Sequence, residues 1–172
     1  MLIIIYGKMA SGKSYIGKQL SSYLNFSYYD GDDALSTINK KIGFVSKSDV
    51  KKFVSGRLIP AIESKMYEHK NLVVSQALYF EEHRNLIRDH FTKIGENVIF
   101  IQVNTPEKQT ENQSWSRGIV WWLYGKLNNN FFESSDNVHI INNISHESLI
   151  PQFKIFSEKY IKITFPPLSQ LI

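Results

Sequence analysis

No cysteine occurs in the chain. That excludes disulfides, thiolate metal sites and cysteine nucleophiles together, and it fits a reducing compartment. Long hydrophobic runs are missing too, since none approaches the roughly 20 apolar residues that span a bilayer. The opening MLIIIYG lacks the basic flank and longer apolar core of a signal peptide. The expectation is a soluble, cytoplasmic protein with no membrane partner. Strong charge of either sign is also absent: 20 basic against 16 acidic residues leave a formal net charge of +4. There is no basic stripe of the kind nucleic-acid binders carry, so no nucleic-acid partner is expected. A small anionic ligand suits the mild excess. The five histidines, His69, His83, His90, His139 and His146, show no metal-ligand spacing, and no zinc is expected. His139 reads as a satisfied core residue. What the chain does have is 42% hydrophobic and 13% aromatic residues over 172 positions. That is enough for the core of one domain spanning 1–172.

Apolar runs bounded by polar turns recur along the chain: Leu2–Tyr6, Phe26–Tyr29, Asn71–Ser75, Asn97–Val103 and Asn137–Ile141. Continuous apolar runs imply strands buried on both faces, as in a parallel sheet covered by helices. Helical patterns separate them: Lys13–Leu24, about Ser48–Lys70, Glu81–Phe91, a broken stretch over about Pro106–Leu127, and His146–Ile161. The alternation predicts an α/β fold with right-handed crossovers. Ser48 and Ser145 are candidate helix caps, and Gly95 suits a helix stop. Pro60 should kink or split the second pattern. Asn128–Asn137 reads as a polar loop, and the tail around Pro166-Pro167 as irregular.

GKMASGKS, Gly7–Ser14, matches G-x-x-x-x-G-K-[ST], the phosphate-binding P-loop. Gly7 and Gly12 permit backbone conformations that a side chain would block. Consecutive amides then turn inward around phosphate oxygens, and the helix opening at Lys13 aims its N-terminus at the same anion. Lys13 reaches the β and γ phosphates, and the Ser14 hydroxyl ligates Mg²⁺. The nucleotide-contacting set is Gly7, Ala10, Ser11, Gly12, Lys13, Ser14 and Tyr15. Lys8 is expected to face solvent. The bland alternative is a glycine-rich strand–helix turn without ligand.

A second acidic site, YYDGDD, ends the second strand pattern at Asp30, Asp32 and Asp33. Ligands in parallel sheets sit at the carboxyl ends of strands, so this segment should lie near the P-loop. If the chain stays extended there, Asp30 and Asp32 point to one side. One carboxylate could hold Mg²⁺ through water while the other accepts a proton from an attacking hydroxyl. An ordinary acidic turn with Asp32 or Asp33 as a helix cap is the alternative.

These segments together resemble the small-molecule kinases of the shikimate and gluconate kinase type, within the wider nucleoside-monophosphate-kinase group. The P-loop and YYDGD carry the likeness, and Asn71–Phe91, with Ser75, Ala77 and Leu78, is similar to their third strand and following helix. The resemblance implies a three-layer parallel sheet of about five strands flanked by helices. It implies ATP and Mg²⁺ as cofactors, an acceptor-binding arm over about 33–70 and a short lid at about 115–118. It places Asp30 and Asp32 towards the acceptor hydroxyl and Mg²⁺. The chain departs from gluconate kinases at Tyr79, where they usually carry lysine, at SKSDVKK, and in a lid with Arg117 as its sole arginine.

Other residues have two readings each. Arg57 could hold an acceptor carboxylate or phosphate bidentately, or be a solvated helix residue. Arg84 and Arg88 share a helix face; Arg84 is the candidate acceptor ligand and Arg88 a surface residue. Arg117 is the candidate for stabilising charge on the transferring phosphoryl group. At most one of Trp121 and Trp122 packs inward. No serine–histidine arrangement suggests a hydrolase, and GKS is no nucleophile elbow. The expected activity is ATP-dependent phosphotransfer to a hydroxyl of a small polar acceptor, a carboxylated polyol or sugar acid of the gluconate or shikimate kind. Lys13, Asp32 and Arg117 would be catalytic, Ser14 and Asp30 would hold the metal, and Asp30, Asp32, Arg57 and Arg84 would bind acceptor. A nucleoside or nucleotide acceptor, or a nucleotide-binding regulatory module with weak turnover, are the alternatives. A monomer or homodimer is expected.

Overall fold

Leu2–Gly7 forms β1, and all six of its residues are buried. In a computed structural model, which describes residues 1–37, 46–116, 118–135 and 138–162 without the side chains of Val120, Trp121 and Tyr124, this strand is the centre of a five-stranded sheet. The others are β2 (Ser27–Asp30), β3 (Leu72–Ser75), β4 (Val98–Asn104) and β5 (His139–Asn142). Their spatial order is β2-β3-β1-β4-β5, and every pairing is parallel. The sheet therefore has the class and strand number read from the sequence.

Alternate residues of β1 face opposite layers. Leu2, Ile4 and Tyr6 join one core cluster with Phe53, Leu58, Ile62, Ile87 and Phe91. Ile3 and Ile5 join the other with Ile16, Leu20, Leu149, Phe153 and Phe156. Burying each such side chain is worth about 1.5–3 kcal/mol relative to leaving it in water. A strand used on both faces cannot alternate polar and apolar, which is why LIIIY is a continuous run.

The helices are α1 (Lys13–Leu24), α2 (Lys47–Phe53), α3 (Ile59–Glu68), α4 (Glu81–Lys93), α5 (Glu107–Ser116), α6 (Ile119–Asn128) and α7 (Leu149–Phe156). Pro60 splits the second pattern as expected. A π turn, Val54–Leu58, lies between α2 and α3, and Pro60 sits in the first turn of α3. Proline has no N–H to donate, and its ring would strike the Gly56 carbonyl four residues back. The wider turn absorbs both problems.

Two caps differ from the expectation. Ser46, not Ser48, caps α2: its Oγ accepts the Asp49 N–H at 3.1 Å and donates to the Asp49 carboxylate at 2.7 Å. That exchange suits a serine three residues before an acid and leaves Ser48 in the first turn. The last helix begins at Leu149 with Ser148 at its N-cap. Ser148 Oγ donates to the Ser145 carbonyl at 2.7 Å, so 145–148 form a turn ahead of the helix. Gly95 does end α4, with φ +85°. Its N–H bonds to Thr92 O and that of Glu96 to Phe91 O. The break in the Pro106–Leu127 pattern falls at Gly118, φ +104°, between α5 and α6. Arg117, residues 38–45 of the expected acceptor arm, and the tail from 163 onward lie outside the described residues.

Candidate active site

Glycine at position 7 is required by space: a Cβ there would lie 2.9 Å from the Val103 carbonyl oxygen. Gly12 is required by conformation as well as space. Its φ is +82°, and a Cβ would lie 2.4 Å from Asn143 Nδ2. Ala10 also adopts positive φ, 58°. The loop between β1 and α1 therefore wraps back on itself, and Ser11 N donates to Lys8 O at 3.3 Å. Lys13 curls over the loop, with Nζ 2.8 Å from the Lys8 carbonyl oxygen, while the Lys8 side chain faces solvent. Two neighbours fix the loop from beneath. Thr105 Oγ1 and Asn143 Nδ2 both donate to the Ser11 carbonyl, at 2.7 and 3.1 Å. The Ser11 carbonyl is thereby turned down, away from the cavity.

A third anchor holds the loop's flank. The Met9 N–H donates to Tyr79 Oη at 2.9 Å and to Asn129 Oδ1 at 3.1 Å. Tyr79 in turn donates to Asn129 Oδ1 at 2.9 Å. Tyr79 stands where gluconate kinases usually carry lysine, and here its hydroxyl serves the loop.

β2 ends beside this loop, as expected. The chain does not stay extended past Asp30, because a 3₁₀ turn, Gly31–Ala34, begins there. The Asp30 carboxylate caps it, accepting the Asp32 N–H at 3.2 Å, and also accepts the Tyr28 hydroxyl at 3.2 Å. Asp30 is thus held by two donors. Strand alternation does not relate Asp30 to Asp32, yet both line the same cavity. Tyr28 Oη lies 2.7 Å from Ser75 Oγ, which is 3.4 Å from Ser14 Oγ. Burial, opposed by the Ser75 hydrogen bond and reinforced by the Asp30 charge, pushes the Tyr28 phenol up to about 12. It therefore remains a neutral donor throughout the physiological range.

The cavity has a volume of about 1020 Å³. One end is walled by the loop, by Tyr15 and by the segment after β5, Asn143–His146, and the Tyr15 hydroxyl is hydrogen-bonded to His146 Nδ1. The other end is walled by Asp30, Asp32, Leu35, Val50, Gln76 and Phe80. Of the expected nucleotide set, Ala10, Gly12, Lys13, Ser14 and Tyr15 line this space, while Gly7 and Ser11 lie beneath the loop. The Ser14 hydroxyl and the Asp30 carboxylate face one cavity, an oxygen donor pair of the type Mg²⁺ takes. Among the described residues no group of three or more His, Cys, Asp or Glu side chains could hold a metal ion by itself.

The arginines are placed differently from the expectation. Arg84 is not among the cavity-lining residues. It is fully buried on the inner face of α4, and its guanidinium lies 4.6 Å from the Tyr6 ring. It donates to the carbonyls of Leu78 and Glu133 and to Ser135 Oγ, at 2.8, 2.8 and 2.9 Å. Desolvation lowers its pKa from the usual arginine value. Arg84 is thus a clamp between loops. Arg57 sits exposed on the π turn and does not line the cavity. Arg88 is half-buried over the Phe100 ring and bonded to Asn85. His139 lies between Phe156 and Tyr160, and its Nε2 has no hydrogen-bond partner among the described residues.

Sequence reasoning missed Gln76, Asn129, Thr105 and Asn143. Gln76 and Asn143 each lie one residue past the end of a parallel strand. That position was readable as a site position. Thr105 likewise lies one residue past the end of β4, whereas Asn129 carries no such local signal.

No protein-family model matches the chain, and no curated protein matches it by sequence. Solved structures do match in fold. The gluconokinase of Sinorhizobium meliloti 1021 superposes with a TM-score of 0.71 at 13% identity, covering 94% of this chain and 97% of that one. The APS kinase of Mycobacterium tuberculosis, in complex with AMPPNP and APS, gives 0.70 at 18% identity, covering 91% and 95%. The shikimate kinase of Aquifex aeolicus gives 0.58 at 16% identity, covering 95% and 100%. The chain has the fold of the P-loop kinases.

Proposed function

We propose that the chain is a small-molecule kinase that transfers the γ-phosphoryl group of ATP to a hydroxyl of a small polar metabolite. The observation that carries this reading is the single cavity, which brings the P-loop, the Ser14 hydroxyl and the Asp30–Asp32 pair onto one space. Neighbours of the same fold include kinases, one of them seen with AMPPNP and APS.

The chemistry follows from the residues. Loop amides and Lys13 grip the phosphates, and Tyr15 and Asn143–His146 border the end of the cavity that would take the rest of the nucleotide. Ser14 and Asp30 would hold Mg²⁺, which when bound neutralises charge on the β and γ oxygens. Asp32 stands over the acceptor end. The acceptor hydroxyl oxygen forms a bond to the γ-phosphorus, the bond to the β–γ bridging oxygen breaks, and ADP leaves with the electron pair. The hydroxyl proton passes to the Asp32 carboxylate. Arg117 is the proposed lid cation that closes over the transferring group.

A coupled assay of ADP release, run with sugar acids and nucleosides as acceptors, tests the reading. Turnover dependent on one acceptor class is expected, and Lys13→Ala should lower kcat/KM by a factor of at least about 10². Full turnover by Lys13→Ala, or no ATP binding by calorimetry in the presence of magnesium, would sink it.

A further inference from the structure

Gln76 is a polar side chain in the cavity wall that the phosphoryl-transfer chemistry does not use. It follows β3, and its own N–H extends the strand ladder to the Ile5 carbonyl at 3.0 Å. Its Cβ packs on Gly31, where an added Cβ would meet it at 3.0 Å. Its Oε1 accepts the Ala77 N–H at 2.9 Å. Backbone, stem and carbonyl oxygen are therefore all fixed. The residue is 4% exposed, yet it lines the cavity. Its carboxamide nitrogen carries two N–H donors, and no acceptor among the described residues takes them. A fixed amide whose nitrogen opens onto the cavity in that state can donate to an acceptor atom on a bound molecule.

The surroundings define which kind of atom. Leu35, Val50 and Phe80 make an apolar and aromatic wall, while Asp30 and Asp32 contribute negative charge. Lys47 is the cation at this end among the described lining residues. Its ammonium is 3.3 Å from the Glu82 carboxylate and 4.6 Å from the Phe80 ring centroid. Its charge is therefore already shared. Neither Arg57 nor Arg84 reaches the space. Among the described residues, a carboxylate or phosphate placed here would meet Asp30 and Asp32 with no bidentate partner. A neutral carbonyl or ring nitrogen on a flat ring meets the Gln76 amide and the apolar wall without that repulsion.

We infer that the phosphoryl acceptor is an uncharged, flat-faced alcohol of the nucleoside class. The Gln76 amide reads a carbonyl or ring nitrogen on it while its hydroxyl stands at Asp32. The inference rests on the kinase reading above and narrows its acceptor. Oxygen of that hydroxyl bonds to the γ-phosphorus, ADP departs with the electrons of the broken bond, and Asp32 takes the proton.

The test uses the purified chain with ATP and Mg²⁺. Ribonucleosides and deoxyribonucleosides are compared with gluconate, shikimate and nucleoside monophosphates, and product is identified by mass. One neutral nucleoside should show a kcat/KM at least about tenfold above every anionic compound. Gln76→Leu should raise the acceptor KM about tenfold and leave the calorimetric Kd for ATP within about twofold, one such contact being worth about a factor of ten. Gln76→Glu, nearly isosteric, should act in the same direction if the leucine variant does not fold. Preference for an anionic acceptor, ATP binding with no neutral compound phosphorylated, or an unchanged acceptor KM in a folded Gln76 variant would each overturn the inference and leave the kinase reading standing. Failure of the chain to bind ATP at all would remove both.

Discussion

Three glycines show how one substitution can have three outcomes. At Gly12 an alanine would need φ +82°, and its Cβ would lie 2.4 Å from Asn143 Nδ2. Strain and collision coincide on the loop that grips phosphate. Gly12→Ala should cost about 1–3 kcal/mol of stability and weaken ATP binding by at least about tenfold in calorimetry. At Gly95 the φ is +85°, but a Cβ would meet nothing within 4 Å. Gly95→Ala should cost only the left-handed backbone penalty, about 1–2 kcal/mol in urea unfolding, with ATP affinity unchanged. At Gly56 a Cβ again meets nothing, and the backbone is not left-handed. Gly56→Ala should stabilise by about 0.4–1 kcal/mol, by restricting the unfolded chain. Identical effects at the three sites would contradict this ranking. The sequence made Gly12 legible, because the P-loop pattern is local and backbone-driven. It made Gly95 legible as a helix stop. Gly56 is tied to Pro60 through the π turn, and nothing in the local pattern distinguishes a π turn from an α turn.

Elements are joined to the site by a chain of contacts that starts at Arg84. Arg84 on α4 holds the Leu78 and Glu133 carbonyls. The Glu133 N–H donates to the Tyr79 carbonyl at 2.8 Å, and the Tyr79 hydroxyl and Asn129 take the Met9 N–H. The segment leaving α6 is thereby fastened to the phosphate loop. Tyr79→Phe keeps the ring against Phe132 and removes the two hydrogen bonds of its hydroxyl, each worth about 0.5–1.5 kcal/mol, while the Met9 N–H keeps Asn129. The KM for ATP should rise about three- to tenfold, while the urea midpoint moves little. An unchanged KM and kcat would show that the loop does not depend on this anchor. Arg84→Met leaves buried carbonyls without donors and should cost about 3 kcal/mol or more, read in the same unfolding experiment. The strands were legible because burial on both faces writes itself as runs such as LIIIY and NLVVS. The role of Arg84 was not. Its spacing from Arg88 established a shared helix face, but which way that face turns depends on Tyr6 and on a loop some 50 residues later. Ser46 was overlooked for a similar reason: the serine before Asp49 looked sufficient, although the reciprocal exchange favours the serine three residues earlier. Residues that act through local backbone geometry were readable, and those that act through assembled contacts were not.

For the molecule as a whole, two buried imidazoles set how stability depends on pH. His83 is fully buried against Phe80, and neither ring nitrogen has a partner among the described residues. His139 is half-buried among aromatic rings, and its Nε2 has none. Burial lowers both pKa values below the usual 6.5. At His83 the Glu82 and Glu133 charges oppose the shift, while Lys47 and Lys51 add to it; at His139 Lys159 adds to it. In each case the unfolded chain takes up a proton at a higher pH than the folded one. Below about pH 6.5 the unfolded state therefore binds more protons, and stability falls as pH falls through the folded-state values. Above that pH the contribution is fully present. Tyr28 works at the other extreme. Its phenol is raised to about 12, so the folded state keeps a proton that the unfolded state loses from about pH 10 upward. Stability should then fall again as pH rises from about 10 to 12. Thermal unfolding followed from pH 5 to pH 11 should give a plateau between about 7 and 9.5 with a decline on either side. Replacing both His83 and His139 by phenylalanine should flatten the acid limb and leave the alkaline limb in place, whereas Tyr28→Phe should leave the acid limb and make the alkaline one shallower, the remainder belonging to Tyr29, whose phenol is also raised by burial and by the Asp33 and Asp30 charges. An acid limb equally steep in the double histidine variant would show that these two imidazoles do not set it.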